Sequence, residues 1–301
     1  MSFSSVKELL RYAKAEGLPL HEAVLCHDLP ESQLTREESR AQMARLWQTM
    51  KEASRSYCAD DRSRSGLTGG DSAKLAAAAE AGRLLGGDYF NAVLAEALKA
   101  AECNACMKRI VAAPTAGSCG VLPAVLLPLH ALGQADDTAI EQALYVAAGF
   151  GQVIAARASV SGAEGGCQAE VGTASGMAAA ALVYLKGGTG EQCAHACAIA
   201  LSNLMGLVCD PVAGLVELPC VSRNAAGAAN AVTAANMALS GIPFRIPCDE
   251  VIDAMGAVGE AMHASLKETG QGGLAATPTG QRIAQAVLHT DPSKAKKTPR
   301  S

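Results

Sequence analysis

Apolar residues recur along this chain at three- and four-residue intervals, and no block shows the alternation of a half-buried strand. Residues 5–16 predict a first helix, with Ser5 as cap and Gly17 as stop. LPLHEAVLCHD follows as a short helix that ends near Pro30. Thr35 and Glu38 have the spacing of a capping box and open a long helix to about Tyr57, with Met43, Leu46, Trp47 and Met50 on its inner face. Leu75–Leu85 and Phe90–Met107 read as helices separated at Gly86-Gly87, and residues 137–157 as an amphipathic helix capped by Asp137. The run from Gln168 to Leu185 is Ala-rich and nearly free of charge, the pattern of a central helix that is apolar all round. Glu191–Met205 repeats that character, and the helix opened by Arg223, Asn224 and Asn230 reaches Ser240. Pro243 and Pro247 bracket an extended link. Asp249–Lys267 then puts Val251, Met255, Val258 and Met262 on one side, and Gln281–Leu288 closes the series. The expectation is an all-α fold: peripheral helices over 1–60, a main helical domain over 61–290, and a disordered basic tail over 291–301.

Composition sharpens this picture. Half of the 301 residues are hydrophobic but only 3% are aromatic, so the core must be built from Ala, Val, Leu and Gly, and the helices must pack closely. A net charge of −4 argues against a general nucleic-acid binder, which needs a basic face. SFSSVKELLRYAKAEG is amphipathic and charged rather than a signal peptide. The apolar runs near 121–135 and 171–185 are broken by Pro or Gly and fall short of the ~20 residues a membrane helix needs. Eleven cysteines without a signal peptide suggest a reducing cytoplasm, where thiols serve as metal ligands rather than disulfides.

Three of those thiols sit in breaker-rich loops. Cys167 follows Gly165-Gly166, Cys209 precedes Asp210-Pro211 and Cys220 follows Pro219. They are 42 and 11 positions apart, so only a fold can gather them. Spacing alone leaves two readings, small buried hydrophobes or metal ligands. The turn chemistry favours ligands, because glycines let backbone amides approach an anionic cofactor. Other groups are open to similar alternatives. The loop 63–74, with Thr68, is either a flexible link capped by Asp71 or Ser72, or a substrate-facing turn. APTAGSCGVLP places Thr115, Ser118 and Gly120 before an apolar helix, which suits either an ordinary cap or an anion pocket. Arg223 either balances charge near the cysteine loops or is a solvated helix start. Cys103 and Cys106 form a CxxC with no second pair to complete a zinc site, so they are read as structural. Cys193, His195 and Cys197 do not share one helical face, so core packing is the better reading there.

The segments VAAPTAGSCGVLPAVLL, GAEGGCQAEVGTASGMAAAALVYLKGG, NLMGLVCDPVAGLVELPCVSRNAAGAANAV and ETGQGGLAATPTG closely resemble the α-chain of the iron–sulfur-dependent bacterial L-serine dehydratases, over about Ser65 to Gly280. The resemblance implies an all-helical fold and elimination of water and ammonia from L-serine to give pyruvate. It also implies a [4Fe-4S] cluster on Cys167, Cys209 and Cys220, with Cys119 outside the ligand set. Thr68, Thr115, Ser118, Gly120 and Asn224 are the expected substrate-binding residues. A separate β-chain partner in a hetero-oligomer is expected, as is a cytoplasmic location. Residue type alone nominates Lys74, Glu164 and His195 for the α-proton acceptor, which could equally lie on the partner. Some members cap the open iron with a C-terminal cysteine; this chain ends Thr-Pro-Arg-Ser and is expected to lack that device. A cysteine desulfhydrase using the same cluster, or a non-catalytic iron–sulfur sensor, are the alternatives. A pyridoxal-phosphate dehydratase would need a phosphate-cradling loop in an α/β fold, which the pattern does not offer.

Overall fold

A computed structural model describes residues 3–288; the expected tail lies outside them. Helices make up the architecture, and the sole β feature among the described residues is an isolated bridge between Cys209 and Lys267. The helices are α1 (Val6–Ala15), α2 (Leu20–Ser32), α3 (Arg36–Arg55), α4 (Asp71–Glu80), α5 (Asp88–Ala105), α6 (Val121–Ala131), α7 (Asp137–Arg157), the single turn α8 (Gly162–Gly165), α9 (Thr173–Leu185), α10 (Gly190–Leu204), α11 (Cys220–Leu239), α12 (Cys248–Ala261) and α13 (Pro278–Leu288).

α9 is the hub. Every residue from Thr173 to Val183 is buried, and α6, α7, α10 and α11 pack around it. Its Ala-rich surface is what lets four neighbours approach, since interiors fill at crystal-like density only when side chains interdigitate. α7 has the length and apolar composition of a membrane span, yet most of its apolar stretch is buried inside the bundle. Phe3 ahead of α1, and Leu9, Leu25 and Trp47 of α1–α3, join the same apolar cluster as α7, α9 and α10.

Local chemistry explains most element boundaries. Ser5 caps α1 by accepting from the Glu8 N–H, and Asp249 reaches the Val6 N–H at 2.7 Å. The Thr35–Glu38 capping box is present as expected. Trp47 and Met50 face inward on α3, but Leu46 is exposed. α2 runs through Pro30 to Ser32. α7 is capped by Asp136 rather than Asp137, because Asp137 instead accepts from the Trp47 indole N–H and the Lys51 ammonium. α4 begins after Gly70, whose φ of 81° lies in the left-handed region, so neither Asp71 nor Ser72 is its cap. α12 stops at Ala261, short of Lys267, and a 3₁₀ turn follows at Ala264–Leu266. The central Ala-rich run is not one helix: Gln168–Gly172 forms a π-turn ahead of α9.

Candidate functional site

The π-turn organises the site. Cys167 immediately precedes it and Glu170 lies within it. An inserted π-turn rotates the side chains that follow it relative to a regular helix, and such turns are frequent at functional sites. Gln168 fixes the neighbouring loop. Its backbone N–H donates to Leu207 O at 2.9 Å, its side-chain oxygen accepts from Gly206 N at 2.8 Å, and its side-chain nitrogen donates to Met255 O at 3.0 Å. Gly166 is required at this crossing: its φ is 77° and a β-carbon there would stand 2.8 Å from Leu207 O. The 206–209 strand of chain is thus held against the Cys167 turn.

Cys209 is fixed from the other side. Its N–H donates to Leu266 O at 2.8 Å, and its carbonyl accepts from Glu268 N at 2.7 Å. The sulfurs of Cys167 and Cys209 and a carboxylate oxygen of Glu170 lie within 4.8 Å of one another, a grouping able to hold a metal ion. Cys220 is the first residue of α11, buried and near enough that its thiol feels the charges of Cys167 and Glu170. The fold brings Cys167 and Cys209 together beside the first turn of α11, whose Arg223 reaches Cys167, and Cys220 lies outside that tight group.

Electrostatics separates the thiols. A hydrogen bond from Cys209 holds the Cys167 thiol below its usual range, and the Arg223 guanidinium adds to that effect. The same sharing, with burial, drives Cys209 up, and burial pushes Cys220 up to about 12. Arg223 is the neighbouring cation. It donates to Cys167 Sγ at 3.4 Å and Val208 O at 2.9 Å, and its Nη2 stands 2.8 Å from Asp210 Oδ1. Asp210 in turn accepts from Leu274 N at 2.6 Å, tying the 268–276 loop to the cysteine loop. Glu170 is held by Thr115 Oγ1 and by the Gly117 N–H, while burial and the nearby Glu268 raise its carboxyl above the usual range.

The loops expected to bind substrate surround this centre, but most of their polar atoms are already engaged. Asn224 accepts from Gly120 N at 2.8 Å and donates to Gly117 O and Cys220 O. Ser118 is fully buried beside Thr115. Thr68 lies in a loop whose Ser63 and Ser65 hydroxyls both donate to Glu217 Oε2 at 2.6 Å. Glu217 stands three residues before Cys220, so that loop braces the cysteine turn. Of the five residues, Thr115 reaches the centre directly, through Glu170.

None of the three nominated proton acceptors makes a hydrogen bond or ion pair to Cys167, Cys209 or Glu170 among the described residues. Lys74 is exposed and paired with Asp71. Glu164 accepts from Ser159 at the surface. His195 lines a cleft of about 550 Å³ between α1, α10 and the link before α12. Cys103 and Cys119 are buried, and burial pushes both thiols up. Sequence reasoning missed Glu170 and Glu268. A carboxylate inside an otherwise uncharged Ala-rich run was the available signal for the first.

The arrangement can do one thing readily: offer buried sulfur ligands beside a carboxylate and a single arginine. Similarity to known proteins places the chain in a family. The family described as serine dehydratase alpha chain matches residues 15–275. A "Probable L-serine dehydratase, alpha chain" of Bacillus subtilis is 48% identical over 286 residues, covering 95% of each chain. The "L-serine dehydratase, alpha chain" of Peptoniphilus asaccharolyticus is 41% identical over 286 residues, 95% of this chain and 98% of that one. "L-serine dehydratase 1" of Escherichia coli is 37% identical, but the match spans 61% of its longer chain. By sequence match over most of its length, this chain belongs to the serine dehydratase alpha chain family.

Proposed function

We propose that this chain is the α-chain of a cytoplasmic L-serine dehydratase, a lyase that converts L-serine to pyruvate and ammonia in company with a separate β-chain. Cys167, Cys209 and Cys220 would hold a [4Fe-4S] cluster. The observation that carries the reading is the convergence of Cys167, Cys209 and Glu170 in a chain of this family, with Cys220 opening the helix whose Arg223 reaches Cys167. The donor set fits such a group. It consists of buried thiols, one of them held toward the thiolate by a hydrogen bond from Cys209 and by the Arg223 cation, where an isolated thiolate would be costly to bury. When bound, the cluster supplies a Lewis-acid iron that eases departure of hydroxide.

The chain's own residues do the remaining positioning. Arg223 offsets part of the negative charge that the sulfurs gather, and Asp210 keeps its guanidinium aimed at Cys167. Thr115 and Gly117 hold the Glu170 carboxylate at the edge of the sulfur group. The loops at 63–70 and 268–276 are tied to the cysteine turns through Glu217 and Asp210. Loss of the α-proton and the β-hydroxyl from L-serine leaves aminoacrylate, which tautomerises and adds water to give pyruvate and ammonia. With Lys74 paired to Asp71, Glu164 bonded to Ser159 and His195 in the cleft beside α1, we assign the α-proton acceptor to the β-chain.

The test is anaerobic reconstitution of the purified chain with iron and sulfide, followed by pyruvate release from L-serine and from L-cysteine with the β-chain present. Pyruvate from serine in preference to cysteine is the expected result. A cluster-loaded complex that releases none would overturn the reading.

A further inference from the structure

The cleft that His195 lines, about 550 Å³ between α1, α10 and the link before α12, joins apolar walls to a cationic rim. Val6, Leu10, Ala194 and Phe244 supply the apolar surface. Lys7, Arg11 and Lys14 stand four and three residues apart on α1 and so share one face of that helix, while Arg245 comes from the link. All four cations are exposed, and none of them forms an ion pair among the described residues. The carboxylates in the cleft are Glu191 and Asp249. Asp249 is spent on the start of α1, where it accepts from Val6 N at 2.7 Å and Lys7 N at 3.1 Å. That contact also ties α1 to α12, so the fold itself holds the walls in place. A chain of net charge −4 thus carries an uncompensated positive patch at this one recess.

The apolar surface continues past the cleft. Ile242 and Ile246, two residues to either side of Phe244 on the same link, are exposed. Apolar surface rimmed by charge is the composition of a protein contact, in which the centre is desolvated and the rim stays wet. A small anion would satisfy the cations and leave both isoleucines uncovered, whereas an acidic segment with apolar side chains covers both. The chain's own last residues do not fit, because 289–301 bring Lys294, Lys296, Lys297 and Arg300 against Asp291 alone. A second copy meeting this face about a two-fold axis would set the same cations against each other.

We propose that the cleft between α1, α10 and the 241–247 link is the docking site for an acidic, apolar-anchored segment of the β-chain. This rests on the dehydratase reading above, which requires a partner chain, and it names where on the α-chain that partner is held. Lys7, Arg11, Lys14 and Arg245 steer and orient the segment, and Phe244, Ile242 and Ile246 take its apolar side chains.

The test measures the affinity of the anaerobically reconstituted α-chain for the β-chain by titration calorimetry, from about 50 to about 300 mM salt, with pyruvate release from L-serine recorded for each complex. Lys7→Glu/Arg11→Glu is expected to weaken β-chain binding about tenfold or more at low salt and to flatten its salt dependence. Ile246→Ser is expected to weaken binding several-fold with the salt dependence unchanged. Arg55→Glu/Arg83→Glu, which reverses two exposed cations outside the cleft, should bind as the parent does. Parent-like affinity in the Lys7→Glu/Arg11→Glu chain would overturn the proposal, as would equal weakening by Arg55→Glu/Arg83→Glu. Sedimentation of the α-chain alone covers the remaining occupant: self-association abolished by Lys7→Glu/Arg11→Glu, with β-chain binding intact, would assign the cleft to a second copy and overturn the proposal too. In each of these cases continued turnover of serine by the parent complex would leave the dehydratase reading standing. A parent complex with the expected cleft dependence that releases no pyruvate would overturn that reading alone, and a parent that binds no β-chain would overturn both.

Discussion

Arg223 joins the stability of the fold to the architecture of the site, and its removal gives a number that can be checked. Its side chain is 14% exposed and that of Asp210 3%, so the pair is effectively withdrawn from water. In Arg223→Met, Asp210 keeps the Leu274 N–H at 2.6 Å but loses the guanidinium at 2.8 Å. Val208 O loses its donor as well. Breaking a buried pair from one side costs about 3–5 kcal/mol, and the packing of the methionine returns about 1 kcal/mol of it. The expected net loss is about 3 kcal/mol. Urea denaturation of the reduced, iron-free chain under anaerobic conditions measures it directly. Asp210→Asn removes the stranded charge, so the double variant should be more stable than the sum of the singles, by about 2 kcal/mol. A single Arg223→Met variant within about 1 kcal/mol of the parent, or a coupling near zero, would show that the pair is not a buried anchor.

Three further outcomes follow from particular contacts. Cys209→Ala should abolish iron retention after reconstitution, whereas Cys103→Ala should retain iron and lose only about 1 kcal/mol of stability; iron assays and denaturation curves separate the two. Gly273→Ala should detach the 268–276 loop. A β-carbon there would lie 2.2 Å from Asp210 Oδ2 and the residue has φ of 58°, and faster proteolysis of that loop than in the parent is the readout. His21 is half-buried against the Tyr184 hydroxyl at 2.6 Å, and burial lowers its pKa. The unfolded chain therefore binds the proton more readily, so this contribution is fully present above the ordinary histidine value of about 6.5 and is lost as pH falls toward the depressed folded value. Denaturation at pH 7.5 and 5.5 should show less loss on acidification in His21→Gln than in the parent.

Much of the helical framework was legible in the sequence because its signals are local. The Ser5 cap, the Thr35–Glu38 box and the Gly17 stop each depend on a few adjacent residues. Asp136 and Asp137 are both competent caps, and the choice between them was made by Trp47 and Lys51, which are remote in sequence. The π-turn left no mark in the pattern of small apolar residues, since Ala and Gly serve an α-helix or a π-turn alike. At the site, the cysteine turns announced themselves through glycine and proline. The roles of Glu170, Glu268 and Asp210 did not, because each is defined by a partner on another loop. Thr115, Ser118 and Asn224 were identified as polar groups near the centre, but only the fold shows that Ser118 and Asn224 bond within the scaffold.

The central claim is that three sulfurs from separate loops hold one iron–sulfur group. It is tested most directly by measuring iron and acid-labile sulfide per chain after anaerobic reconstitution of the parent and of the Cys167→Ala, Cys209→Ala and Cys220→Ala variants. The account predicts the content of one [4Fe-4S] cluster in the parent and little of either element in each variant. Full iron and sulfide in the Cys220→Ala chain, the thiol outside the tight group, would contradict it.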